Sequence, residues 1–171
     1  MKVRDRIKEL RRVPASELLP NPKNWRTHPV AQQDALKGIL AEIGYADALI
    51  ARETLDGLML IDGHLRAEAT PDSEVPVLVL DINEEEADLM LATLDPLASM
   101  AGRDEGLLTQ LLGSIASEND AVNELLRALG DNDIGGLGDF PDWGDELDEG
   151  IADDIQLCIC ECGHEHHKSK E

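Results

Sequence analysis

A mixed α/β fold is predicted by three features of this chain. Leu58-Met59-Leu60-Ile61 is an apolar run of strand length. It meets Asp62-Gly63 and then His64-Leu65-Arg66-Ala67-Glu68-Ala69, whose residues mostly favour helix. Val75 to Ile82 is the strongest strand pattern in the sequence, and an acidic helix start follows it at Glu84. Ala35, Leu36, Ile39, Leu40 and Ile43 recur at helical spacing within Val30 to Gly44. Strand and helix patterns therefore alternate, which favours helices packed on a sheet.

Taken in order, residues 1–9 read as a charged, frayed lead-in. Leu10 to Pro20 reads as extended, because Val13-Pro14 and Leu19-Pro20 keep the chain out of helix. Asn21 to Pro29 is a loop dense in turn formers, and the helix over Val30 to Gly44 stops at its glycine. Ala48 to Arg52 is a short strand, Glu53 to Gly57 a hairpin turn, and Leu58 to Ile61 the returning strand. A short helix runs to about Ala69. The helix from Glu84 is expected to end at Leu94, where Asp95-Pro96 breaks it. Gly106 to Ile115 and Ala121 to Leu129 complete the pattern as two amphipathic helices. From Gly130 to Asp154 the chain is Gly- and Asp-rich and reads as an acidic, disordered linker.

The 171 residues suffice for one domain of ordinary size and a tail. Hydrophobic residues make up 42% but aromatics only 2%, so the core is built from Leu, Ile, Val and Ala. The formal charge of −21 is unevenly spread. Residues 1–37 hold nine Lys/Arg against four Asp/Glu, a net of +5, and the remainder holds six against thirty-two, a net of −26. That excludes a protein that binds duplex DNA by its whole face, while the basic segment offers contact to nucleic acid or an acidic partner. There is neither a membrane-length apolar run nor a signal-peptide pattern. The three cysteines are clustered rather than arranged as a disulfide framework, so a reducing cytoplasm is the expected setting.

A glycine at a strand-to-helix turn lets backbone N–H groups approach an anion, and Arg66 adds a planar fork one turn in. A purely structural turn has the same pattern. His64 reads either as a locally bonded turn residue or as a general acid/base. Asp62 is a candidate for metal or ribose contact, or simply part of an Asp-Gly turn. Trp25 reads as a packing anchor for its loop. At the far end, Cys158, Cys160, Cys162 and His164, with His166 and His167 nearby, are soft donors suited to Zn²⁺. An adventitious tail and a half-site shared in a homodimer are the alternatives there.

The order of these segments resembles the ParB N-terminal domain of the ParB/sulfiredoxin superfamily over roughly residues 10–96. The Val-Pro…Leu-x-Pro-Asn-Pro stretch, the loop arginine Arg26, the Gly63-His64-Leu65-Arg66 turn and the Val-Pro strand carry the likeness. The resemblance implies a nucleotide, ATP or CTP with Mg²⁺, at the Gly63 turn. Gly63, His64, Arg66 and Arg26 would then be phosphate-binding, and Asp95 a Mg²⁺ ligand. From their own chemistry, His64 and Asp62 are the candidate catalytic residues of any nucleotide hydrolase or nuclease activity. His64 stands where sulfiredoxins have cysteine, so the chain is not a sulfiredoxin. Leu65 and Glu68 replace ParB arginines, and Pro96 replaces the asparagine of the Mg²⁺ pair, which weakens triphosphate binding. No basic recognition helix follows. The chain resembles the stand-alone ParB-like domains of phages and mobile elements more than a complete partition protein.

The expected organisation is thus a ParB/sulfiredoxin-like α/β (α+β) domain at 10–98, a small helical extension at 99–130, the acidic linker at 131–154 and the Cys/His-rich tail at 155–171. Its expected role is a nucleotide-binding module of DNA metabolism whose partner is DNA or a DNA-processing protein. The competing expectation is a non-enzymatic acidic adaptor with a degenerate pocket.

Overall fold

In the computed structural model the described residues are 2–131 and two short strands beyond them. The chain divides into two units, Met1–Phe140 and Pro141–Glu171. The first holds β1 (Ile7–Pro14), α1 (Val30–Glu42), β2 (Leu49–Glu53), β3 (Leu58–Asp62), α2 (His64–Ala69), β4 (Glu74–Leu80), α3 (Glu84–Ser99), α4 (Glu105–Leu112) and α5 (Asp120–Gly130). In the second, β5 (Leu157–Ile159) pairs antiparallel with β6 (Glu165–His167), setting Cys158 opposite His166. Past Asp131 the predicted linker, and in the tail Cys160, Cys162 and His164, lie outside the described residues.

The four-stranded sheet has the order β1-β4-β2-β3. β4 is antiparallel to β1 and parallel to β2, and β2 and β3 form the predicted hairpin. Val75, Val77 and Val79 point to one face, where they join Leu49, Ala51, Leu58, Leu60, the α2 residue Ala67 and the Ala15–Leu18 turn in the main core. Ile61 and Leu80 meet Ala87 of α3 on the other face, with Ile50, Leu78, Met90 and Leu94 packed around them. Two-sided burial explains why β4 is a nearly continuous apolar run rather than an alternating one.

Three expectations are corrected. The lead-in is not frayed throughout: β1 begins at Ile7, because Arg6 fastens the strand's start to the rest of the domain. Its Nε donates to the Asp81 carbonyl at 2.6 Å, and its fork takes both carboxylate oxygens of Glu86 at 2.8 and 2.6 Å. Ala15–Glu17 is a 3-10 turn within the stretch read as extended. Pro96 does not end its helix. α3 continues to Ser99 with Pro96 inside it, since the only intrahelical bond Pro96 removes would run to the carbonyl of Ala92, an exposed residue. An Asn83–Glu86 capping box fixes the other end of α3, at 2.8 and 2.9 Å.

α5 lies against α1 at Gly38, where an added Cβ would stand 2.6 Å from Asn119 Cγ and 2.7 Å from Val122 Cγ2. Glu42, at the end of α1, accepts from Ser117 Oγ at 2.6 Å and from the backbone N–H groups of Glu118 and Asn119 at 3.1 and 3.2 Å. Asn119 in turn caps α5 by accepting from Ala121 and Val122. The last helix is therefore seated on the first. Gly38→Ala gains about 1 kcal/mol of helix propensity. It also pushes against a β-branched side chain and a working cap, which costs about 2–4 kcal/mol. The expected net loss of roughly 1–3 kcal/mol is measured by urea unfolding, with α5 amides exchanging first. A variant at least as stable as the wild type would show that the helices do not meet this closely.

Candidate functional site

Gly63 caps α2 with φ of 93°, a conformation L side chains rarely adopt. A Cβ there would also stand 2.6 Å from Leu49 Cγ, so backbone geometry and packing both require glycine. The turn opens onto a cleft of about 340 Å³. Its other walls come from the Asn21–Pro29 loop, α1 and α3 through Asn24, Arg26, His28, Gln32, Leu36, Leu91 and Asp95. Ile61 to Arg66, the turn itself, complete the lining. The fold thus gathers around one cleft every residue the sequence nominated near this turn, from positions as distant as 26 and 95.

Each charged group in the cleft is already engaged. Arg66 Nη2 lies 2.6 Å from Asp62 Oδ2, and its Nη1 lies 2.6 Å from Asp47 Oδ2. Arg26 pairs with Asp95, and its guanidinium stands 5.6 Å from the Trp25 ring centroid. Trp25 Nε1 donates to the Leu91 carbonyl at 3.3 Å, which ties the loop to α3. His28 Nδ1 and Gln32 Oε1 are 3.0 Å apart. Within the cleft lining, two arginines face two aspartates.

His64 is 7% exposed, and its Nε2 accepts the backbone N–H of Asn21 at 3.1 Å. The imidazole is therefore neutral at that nitrogen and holds the start of the loop that carries Arg26. Desolvation pushes its pKa below the ordinary imidazole value; the Asp62 and Glu68 carboxylates oppose this only in part. Among the described residues no group of three or more His, Cys, Asp or Glu forms a metal site. No helix among them is long and apolar enough to cross a membrane.

Sequence reasoning missed two contributors. Asp47 reaches Arg66 from the loop before β2, and no spacing in the chain links positions 47 and 66. Tyr45, the one tyrosine, packs on the main core, donates to the Arg66 carbonyl at 3.2 Å and bonds Thr70 Oγ1, so it seats α2. Being a lone aromatic next to a helix stop was its only signal.

No protein-family profile matches the chain, and no curated protein matches it. Among solved structures it is similar to the C-terminally truncated chromosome-partitioning protein ParB of Caulobacter crescentus complexed with CTP-gamma-S. That match has 20% identity and a TM-score of 0.48, and it covers 61% of this chain and 60% of that one. The same ParB complexed to the centromeric parS site matches at 17% identity and a TM-score of 0.42, covering 75% of this chain and 73% of that one. A Pnob8-like ParB-N domain matches at 16% identity and a TM-score of 0.43, covering 93% of this chain and 56% of that one. The chain thus spans 60% of the length of the first of these structures.

The His64 geometry predicts a pH dependence. A folded-state pKa below the unfolded value of roughly 6.5 means that the unfolded chain binds more protons as pH falls below that value. The stability from neutral His64 is full above about pH 6.5 and is lost on acidification. The melting temperature is expected to fall between pH 7.5 and 5.5, and His64→Gln, whose amide oxygen can still accept from Asn21, is expected to flatten that slope. An equal slope in the variant would show that His64 is not the group responsible.

Proposed function

We propose that this chain is a ParB-like nucleotide-binding module of DNA metabolism that takes a nucleoside triphosphate, ATP or CTP, in the cleft at the Gly63 turn. The observation that carries the reading is the convergence of Arg26, His28, His64 and Arg66 with Gly63 on one cleft whose carboxylates, Asp62 and Asp95, face the same space. In this reading the turn's backbone and Arg66 receive phosphate oxygens and Arg26 assists. His64 holds the loop in place. A Mg²⁺ ion suits the donor set, because Mg²⁺ binds through one or two carboxylates and completes its shell with water and phosphate. Asp95 and Asp62 would hold the ion, whose positive charge would offset that of the bound phosphates. The activity favoured is binding rather than turnover, since His64 Nε2 is committed to Asn21.

Two features favour a DNA-processing protein over duplex DNA as the partner. The chain carries a net −21. Five cations of its basic segment, moreover, are engaged internally: Arg6 with Glu86, Lys8 and Arg11 with Glu53, Lys23 with Glu84 and Asp88, and Arg26 with Asp95. For the tail, we propose that Cys158, Cys160, Cys162 and His164 supply a tetrahedral set for Zn²⁺. Their donor chemistry and close sequence spacing support this.

Titration of ATP, CTP and GTP with Mg²⁺, followed by calorimetry, is expected to show saturable binding by the wild type. Arg66→Ala is expected to bind roughly ten- to a hundredfold more weakly, the loss of charge-assisted hydrogen bonds. Absence of binding by the wild type would overturn the reading in favour of an adaptor. For the tail, native mass spectrometry is expected to show the mass of one zinc ion, removed by chelator. A chain with no bound zinc after preparation in zinc-containing buffer would dispose of that site.

A further inference from the structure

Arg66 is gripped from two sides. Asp62 belongs to the end of β3 and reaches the guanidinium from one turn away, as an i,i+4 pair within the cleft lining. Asp47 belongs to a different element, the loop between α1 and β2, and holds the other edge from outside that lining. The two carboxylates differ in how firmly they are built in. The Asp62 side chain is 37% exposed, whereas that of Asp47 is 78% exposed. Among the described residues, the Asp47 carboxylate otherwise accepts from the backbone N–H of its neighbour Ala48, at 2.7 Å. Arg66 is itself largely covered, at 17%. Tyr45 anchors the same loop by donating to the Arg66 carbonyl, so the reach of Asp47 to the side chain is set by packing, not by chance extension.

A carboxylate on a guanidinium fork occupies the positions that a phosphate would take, since both present paired oxygens to the same planar donors. We propose that Asp47 is a built-in competitor for the anion at Arg66 and so sets how tightly the cleft holds a polyphosphate. This rests on the nucleotide reading above. An incoming phosphate must displace one carboxylate, and Asp47 is the one free to swing into water at small cost. Until then it keeps one edge of Arg66 turned away from the cleft.

The test is calorimetric titration of MgATP, MgCTP and magnesium tripolyphosphate into the wild type, Asp47→Asn, Asp47→Ala and Asp72→Asn. The last removes an exposed charge elsewhere. Thermal unfolding of each variant without ligand establishes that it folds. Asp47→Asn and Asp47→Ala are expected to bind all three probes on the order of three- to tenfold more tightly, with Asp72→Asn unchanged. Wild-type affinity in both Asp47 variants, weaker binding by them, or an equal gain in Asp72→Asn overturns the competitor role while leaving the nucleotide reading intact. Absence of binding by the wild type and every variant overturns both.

Discussion

β4 is bonded along both edges and covered on both faces, and each other part of the domain is placed by reference to it. β1 lies on one edge and β2 on the other, so the strand spends its backbone N–H and C=O groups within the sheet. Val75, Val77 and Val79 are fully buried on the face shared with Leu49 and Ala51. Burial of a side chain of this size contributes about 1.5–3 kcal/mol. Because the parallel β2–β4 contact needs a crossover, the chain must leave the sheet after β3 and return to β4 by way of α2. The Gly63 turn is where that departure begins.

Charge is arranged around this frame in a way the net value conceals. An excess of acidic residues would repel itself, yet the basic N-terminal segment lies where its cations meet carboxylates of β2 and α3. Exposed pairs of this kind contribute little individually. Their effect is geometric: Arg6 fastens the start of β1 to α3, and Lys23 draws the loop toward the first turns of the same helix. Glu86 does double service, closing the capping box and receiving the Arg6 fork.

The cleft takes its character from this economy of charge. Arg26 and Arg66 are cationic groups held against Asp95 and Asp62, so the site is near neutral in the absence of a ligand and its arginines are preorganised. The buried His64 braces the loop and the core-packed Tyr45 braces the short helix. α2 is only six residues long and would not hold its shape alone.

The sequence by itself determined most elements and the glycine turn. Apolar runs, proline and glycine stops, and helical spacing are local signals, and, the end of α3 apart, each element from α1 to α5 lies within a few residues of where those signals place it. Local rules misled at Pro96, which costs α3 only one bond, to exposed Ala92, and at the start of β1, where the Arg6–Glu86 fork overrides them. Gly63 and Arg66 were legible because turn and helix are adjacent in the chain. Tertiary structure alone decided the rest. It brought Arg26 to Asp95 and Asp47 to Arg66, buried His64 against Asn21, and seated α5 on Gly38. Those pairings join residues tens of positions apart, and the distance between such residues is set by how the sheet and helices pack, which no local pattern encodes.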